Sequence, residues 1–287
     1  MQPPQHSDEL NVSFPAEHVM LLTLTRPIQL NAMTPTMNND IGALLNWFDD
    51  EPSLWVAIVT GEGRAFCAGA DLKAWYQNQK SGRSTEQEDL AASVHGFGSI
   101  SRRHTSVKPI IAAVNGGAYG GGVEMILNCD IVVASEDAHF ALPEVKRGVV
   151  AAQGETHASP SSRTVIPRIA KVAGHQLASE MLFLGKTITA VEARDRFRFV
   201  NFVVPTSEVV KTAIGLATQI TQNSPDSVQS SKEGLMLAQK HHFEDAVHTH
   251  ALGLVSKRVY HGANIKARLL FFSLLKRKPK WTNPAKL

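Results

Sequence analysis

Two carboxylates and a cluster of glycines carry the first chemical suggestion in this chain. Residues 110–144 read IIAAVNGGAYGGGVEMILNCDIVVASEDAHFALPE. Gly116, Gly117, Gly120, Gly121 and Gly122 are dense enough for a sharp turn whose backbone N–H groups approach a ligand closely. An apolar run holding one carboxylate, Val123-Glu124-Met125-Ile126-Leu127, then reads as a helix start. Helix starts aim unpaired N–H donors and the positive dipole end outward. Such a place suits a carbonyl oxygen that becomes negative during reaction. Glu124 and Glu144 flank a second apolar run in sequence, and if they converge they form an acid/base pair beside that oxygen. The same residues also suit a plain role: a glycine turn for close packing, with two solvated glutamates. A nucleotide loop fits poorly. The spacing is not G-x-G-x-x-G, and Gly185-Lys186-Thr187 lacks the earlier glycine of a phosphate loop.

The elements that must position these groups are short apolar strands. Residues 110–114 and 131–134 read as buried strands on either side of the glycine turn. The design recurs upstream. Residues 56–60 (VAIVT) form another apolar strand, followed by a small-residue turn, GEGRAFCAGADL. An oxyanion hole needs two donors, and two such turns can supply them.

At these two stretches the chain resembles the enoyl-CoA hydratase/isomerase (crotonase) superfamily. AFCAGADL is similar to that family's first oxyanion-hole motif, and AVNGGAYGGGVEM followed by CDIVVAS to its second. The resemblance implies an α/β fold, a crotonase-type spiral of ββα units followed by a C-terminal helical segment. It implies that the N–H groups of Ala70 and Gly121 grip the thioester oxygen of an acyl-CoA, and that Glu124 and Glu144 are the hydratase acids. Ala68, Asp71, Lys73 and Gly120 are the implied substrate-binding residues; for Lys73 a solvated helix lysine is an equal reading. The implied activity is hydration of a 2-enoyl-CoA, or the reverse dehydration of a 3-hydroxyacyl-CoA. Glu124 takes the proton of the water adding at the β-carbon, and Glu144 delivers a proton to the α-carbon. No metal or redox cofactor is expected, since CoA is the handle of the substrate. The alternatives are Δ3,Δ2-enoyl-CoA isomerisation by one carboxylate, and a degenerate homologue that binds acyl-CoA without turnover. β-Oxidation and a peroxisomal secondary-metabolite pathway both suit the chemistry.

Composition bounds the rest. The 287 residues are 43% apolar, enough for one large domain or one domain with an appendage. The 29 basic and 26 acidic residues nearly balance, so no nucleic-acid surface is expected. No run is long and apolar enough to span a membrane, and the polar start, MQPPQHSDEL, has no signal-peptide core. Cys67 and Cys129 sit in small or apolar surroundings and read as reduced core thiols. The last three residues, Ala285-Lys286-Leu287, are similar to the Ser-Lys-Leu peroxisomal signal, so a peroxisomal location and its import receptor are expected.

In chain order, residues 1–11 read as a flexible tail, and 12–205 as the spiral core. Within it, 19–25 read as a strand, 36–50 as an amphipathic helix, and 90–105 as a helix after a polar loop over 76–89. Trp75 and Tyr76 are candidate pocket walls. Asn31 resembles the family's P-x-x-x-N-A element, with Ile28 where members often carry a lysine. Residues 155–162 (ETHASPSS) look like a loop insertion, and its His157 reads as a surface histidine. Arg198 stands where the family commonly has glycine, a strained substitution if the backbone there is left-handed. Residues 206–284 read as a helical oligomerisation segment, by resemblance in a homotrimer or homohexamer. Its histidines at 241, 242, 248 and 250 match no recognised metal spacing.

Overall fold

The computed structural model describes residues 2–71, 94–148, 165–270 and 280–283, the side chains of 267–270 excepted. Lys73, Trp75 and Tyr76, the loop over 76–89, the 155–162 stretch with His157, most of the apolar final helix and Ala285-Lys286-Leu287 lie outside the described residues.

Strands β1 (Leu10–Ala16) and β2 (Val19–Leu24) pair antiparallel. Helix α1 (Pro35–Asp50) follows. The Thr34 hydroxyl accepts the Met37 N–H, Pro35 takes the first turn where no N–H is needed, and Met37, Ile41, Leu44, Leu45 and Phe48 face the core. A motif then repeats three times: a long strand, a tight corner, and a short strand in a second sheet. The pairs are β3 (Val56–Gly61) with β4 (Ala65–Cys67), β5 (Ile110–Val114) with β6 (Gly117–Tyr119), and β7 (Ile131–Ser135) with β8 (His139–Ala141). Helix α2 (Gly121–Asn128) leaves β6. The chain continues through α3 (Val165–Ala173), α4 (His175–Leu184), β9 (Thr187–Thr189), α5 (Ala190–Asp195) and β10 (Phe202–Val204). The last helices are α6 (Val209–Thr221), α7 (Pro225–Lys240), α8 (Phe243–Leu252), α9 (Leu254–His261) and α10 (Ala263–Leu270).

The larger sheet runs β1-β2-β3-β5-β7-β10 and the smaller β4-β6-β8-β9. The central strands are covered on both faces, which explains their unbroken apolar runs. Their side chains alternate as strand geometry requires. Ala57, Val59, Ile110, Ala112 and Val114 join the main core with α1. Val56, Ile58, Ile111 and Ala113 join a second cluster closed by Val209, Ala213 and Ala217 of α6. Helix α7 is pinned from below: the Lys232 ammonium, buried, donates to the Lys108 carbonyl and to Asp130, both at 2.8 Å.

Two expectations change. The start of the chain is not a loose tail through residue 11. Ser7 donates from its backbone and its hydroxyl to Asp40 at 2.9 and 2.6 Å, and Leu10 is buried in β1. Nor do 94–105 form a helix; only a single 3-10 turn, Phe97–Ser99, is present. Gly96 (φ 70°), Gly98 (φ 59°) and Ser99 (φ 50°) are left-handed, which no α-helix accommodates. Gly98 is there for space as well, since a Cβ would lie 2.5 Å from the Met125 sulfur of α2.

Candidate active site

The smaller sheet explains how distant sequence positions meet. Strands β4, β6 and β8 are parallel neighbours, so the chain emerges from all three at one edge. The segment after β4 carries Ala68, Ala70 and Asp71. The segment after β6 carries Gly120, Gly121 and Glu124, and the one after β8 carries Glu144. A nest of amide bonds holds the corners. The Asn31 amide, fully buried, donates to the carbonyls of Glu62 and Ala65, and Asn115 donates to Gly63 and Ala65.

Ala70 sits in a parallel bridge with Met33. The bridge is made by its neighbours: Met33 N–H donates to Gly69 at 2.8 Å, and Asp71 N–H donates to Met33 at 3.2 Å. In that geometry the N–H of Ala70 points to the opposite side of the strand, where no acceptor is found among the described residues. Gly121 is the first residue of α2, so its N–H has no intrahelical partner. The two turns touch. A Cβ built on Gly69 would lie 3.6 Å from the Gly121 nitrogen, and one built on Gly122 would lie 2.4 Å from the Cys67 carbonyl oxygen.

Glu124 lies one turn along α2 and is buried. Glu144 opens a 3-10 turn (Glu144–Arg147) and is half-buried. Its Oε2 is buried and has no hydrogen-bond partner among the described residues. Its Oε1 lies against the helix start, 2.9 Å from where a Cβ on Gly120 would stand. Gly120 (φ 55°) therefore answers two demands, a left-handed turn and room for the carboxylate. Burial pushes the Glu144 carboxyl above the ordinary carboxylate range, opposed by its own backbone N–H and by Arg147. A carboxyl raised in this direction holds its proton more tightly than a solvated one, which makes it a stronger base when ionised.

Of the remaining expected residues, Ala68 donates to the Leu30 carbonyl at 3.0 Å, and Asp71 pairs with Arg26 at 3.2 Å. Two participants were not legible in the sequence. Phe97 backs the turn at Gly121, its ring 2.5 Å from a would-be Gly121 Cβ. Arg26 holds Asp71. Cys67 is no nucleophile: burial pushes its thiol up to about 12. Among the described residues no cluster of His, Cys, Asp and Glu is arranged to hold a metal.

Residues 15–284 match the family model described as enoyl-CoA hydratase/isomerase. The chain belongs to that family. It is 41% identical over 276 residues to the mevalonyl-coenzyme A hydratase of Aspergillus fumigatus, covering 96% of this chain and 95% of that protein. It is 43% identical over 239 residues to the mevalonyl-coenzyme A hydratase of Beauveria bassiana, covering 82% and 81%. An enoyl-CoA hydratase from Bacillus anthracis superposes with a TM-score of 0.83 at 26% identity, over 96% of this chain and all of that one. The α/β spiral with its helical C-terminal segment is thus the crotonase fold, and the chain is a hydratase-type enzyme of that superfamily. Membership implies an acyl-CoA substrate.

Proposed function

We propose that the chain removes water from a 3-hydroxyacyl-CoA, or adds it to the corresponding 2-enoyl-CoA, with the mevalonyl group as the first acyl candidate. The acyl choice rests on the similarity to mevalonyl-coenzyme A hydratases. The observation that carries the chemistry is the common edge of β4, β6 and β8, which delivers two N–H donors and two carboxylates from three separate segments. In the dehydration direction, the Glu144 carboxylate takes a proton from the α-carbon. The electron pair moves onto the thioester oxygen, held by the Ala70 and Gly121 amides. It then returns to form the α–β double bond as the β-hydroxyl leaves, protonated by Glu124. Each amide donor contributes on the order of a hundredfold in rate. Hydration is the same path reversed.

The test is turnover of mevalonyl-CoA and of short 2-enoyl- and 3-enoyl-CoAs, followed by the mass of one water, with Glu124→Gln and Glu144→Gln beside the wild type. Loss or gain of water that falls at least about a hundredfold in both variants supports the reading. Double-bond migration without a mass change, or turnover untouched in either variant, overturns it. Two further proposals accompany this one. Ala285-Lys286-Leu287 directs the chain to peroxisomes when Leu287 is the carboxyl terminus, and a fluorescent fusion with and without the tripeptide tests that. The chain is a homotrimer or homohexamer, supported by exposed Leu235, Phe243, Leu252, Leu254 and Tyr260 on the C-terminal helices; light scattering tests it.

A further inference from the structure

We infer that Arg26 is a positioning residue for the first oxyanion donor, acting through Asp71, with Glu9 as its anchor on the other side. The inference rests on the acyl-CoA reading of the site. Each of the three nitrogens of the Arg26 guanidinium is engaged. Nε pairs with Glu9 at 3.2 Å, Nη2 with Asp71 at 3.2 Å, and Nη1 donates to the Ala32 carbonyl. Glu9 in turn accepts from the Thr34 hydroxyl, the cap of α1. The three charged side chains are mostly shielded from water, at 17%, 22% and 16% exposed for Arg26, Glu9 and Asp71. A shielded, multidentate arginine is held far more firmly than a surface ion pair.

The clamp bears on the residue beside the donor. Asp71 directly follows Ala70, and the strand segment 68–71 is already tied to 30–33 by the backbone bonds Ala68 to Leu30, Met33 to Gly69 and Asp71 to Met33. Those bonds fix the height of the turn. They leave its rotation about the strand axis to side-chain contacts beyond the bridge, and the Arg26–Asp71 pair is such a contact. The backbone under Arg26 is rigid too: its N–H donates to the Asn31 side chain, and Leu30 and Asn31 are left-handed. Three of its five N–H donors are engaged within the protein, one on each nitrogen, which holds the guanidinium in one plane beside Asp71. The N-terminal segment through Glu9 is by this reading part of the active-site frame.

The experiment compares Asp71→Asn, Arg26→Lys and Glu9→Gln with wild type in three readouts: kcat, the Kd of an unreactive acyl-CoA, and the infrared stretch of a 13C-labelled thioester carbonyl in the bound state. Lysine keeps the charge but cannot hold three contacts in one plane. Positioning predicts kcat down about tenfold to a hundredfold in Asp71→Asn and Arg26→Lys, and a smaller loss in Glu9→Gln. Kd changes less than about threefold, and the carbonyl band moves back toward its position in water. Weakened binding with kcat retained overturns the inference in favour of direct substrate contact. Unchanged kcat and carbonyl band, with only the melting temperature lowered, overturns it in favour of a purely structural pair. The wild type separates the two levels: if it neither turns over acyl-CoAs nor shifts the bound carbonyl, the acyl-CoA reading fails first.

Discussion

Gly121→Ala is the sharpest perturbation of the oxyanion turn. The added Cβ would lie 2.5, 2.6 and 2.6 Å from three atoms of the Phe97 ring, whereas ordinary contact begins at 3.4 Å, an overlap of nearly 1 Å. The Gly121 backbone itself is not left-handed, so alanine is acceptable there in conformation and the contact alone decides the outcome. The ring cannot swing clear cheaply. It is buried, and the left-handed Gly96 and Gly98 beside it fix its backbone. Part of the overlap is therefore relieved by moving the first turn of α2, which carries the donor. Overpacking of this kind costs about 1–3 kcal/mol of stability. A displacement on the order of 1 Å costs up to a hundredfold in rate, about 2.7 kcal/mol of transition-state stabilisation. The assay is kcat and kcat/KM for Gly121→Ala, Phe97→Leu and the pair, with circular dichroism as the folding check. Phe97→Leu alone changes kcat little, and in the double variant it restores roughly tenfold, a coupling of about 1.4 kcal/mol. Wild-type kcat in Gly121→Ala, or no rescue by leucine, would refute the reasoning.

Other outcomes follow from the same structure. Glu144 has its carboxyl raised by burial, so between its unfolded and folded pKa the native state holds more protons and stability falls as pH rises. Glu144→Gln removes that slope, and melting temperatures of both proteins across mildly acidic to neutral pH show whether the curves converge at low pH as this requires. Arg198, left-handed at φ 63°, is strained, so Arg198→Gly stabilises by up to about 1 kcal/mol despite losing the bond from its Nε to the Asp195 carbonyl. Chemical denaturation measures it, and a destabilised variant would count against strain. Lys232→Met removes the cation from Asp130 and costs about 3 kcal/mol, the low end for a buried pair because Asp130 is still 23% exposed and keeps the Ile110 N–H. Native Cys67 resists alkylation at pH 8 and reacts only on unfolding, as mass spectrometry of the labelled peptide would report.

The sequence made some of this readable and hid the rest for physical reasons. The long strands were legible because burial on both faces leaves only apolar residues, and α2 because a glycine turn opens into an apolar run. A left-handed backbone at Arg198 was raised only as a condition, from the glycine the family commonly has there, and the structure meets that condition. The approach of Glu144 to the start of α2 was only conditional in the sequence. It depends on pairing among β4, β6 and β8, three-residue strands too short to show a period of their own. The 94–105 segment was misread as a helix because its conformation answers to contacts far along the chain, Phe97 with Gly121 and Gly98 with Met125. The N-terminal segment was misread as loose because its polar residues find partners only after folding: Asp40 for Ser7, and Arg26 and Thr34 for Glu9.

The shared edge of the small sheet has a consequence for the order of assembly. A ribosome that has released residues through 128 has made both amides and Glu124, yet the third segment, with Glu144, is still missing. In the proposed site a thioester lodged between them would touch three successive pieces of chain and work as a removable staple across β4, β6 and β8. Binding and folding are then one linked equilibrium. At a ligand concentration a hundred times its Kd, the staple adds about 2.7 kcal/mol against unfolding. By that reading the gain falls on the two shortest strand pairings among the described residues, β4 with β6 and β6 with β8.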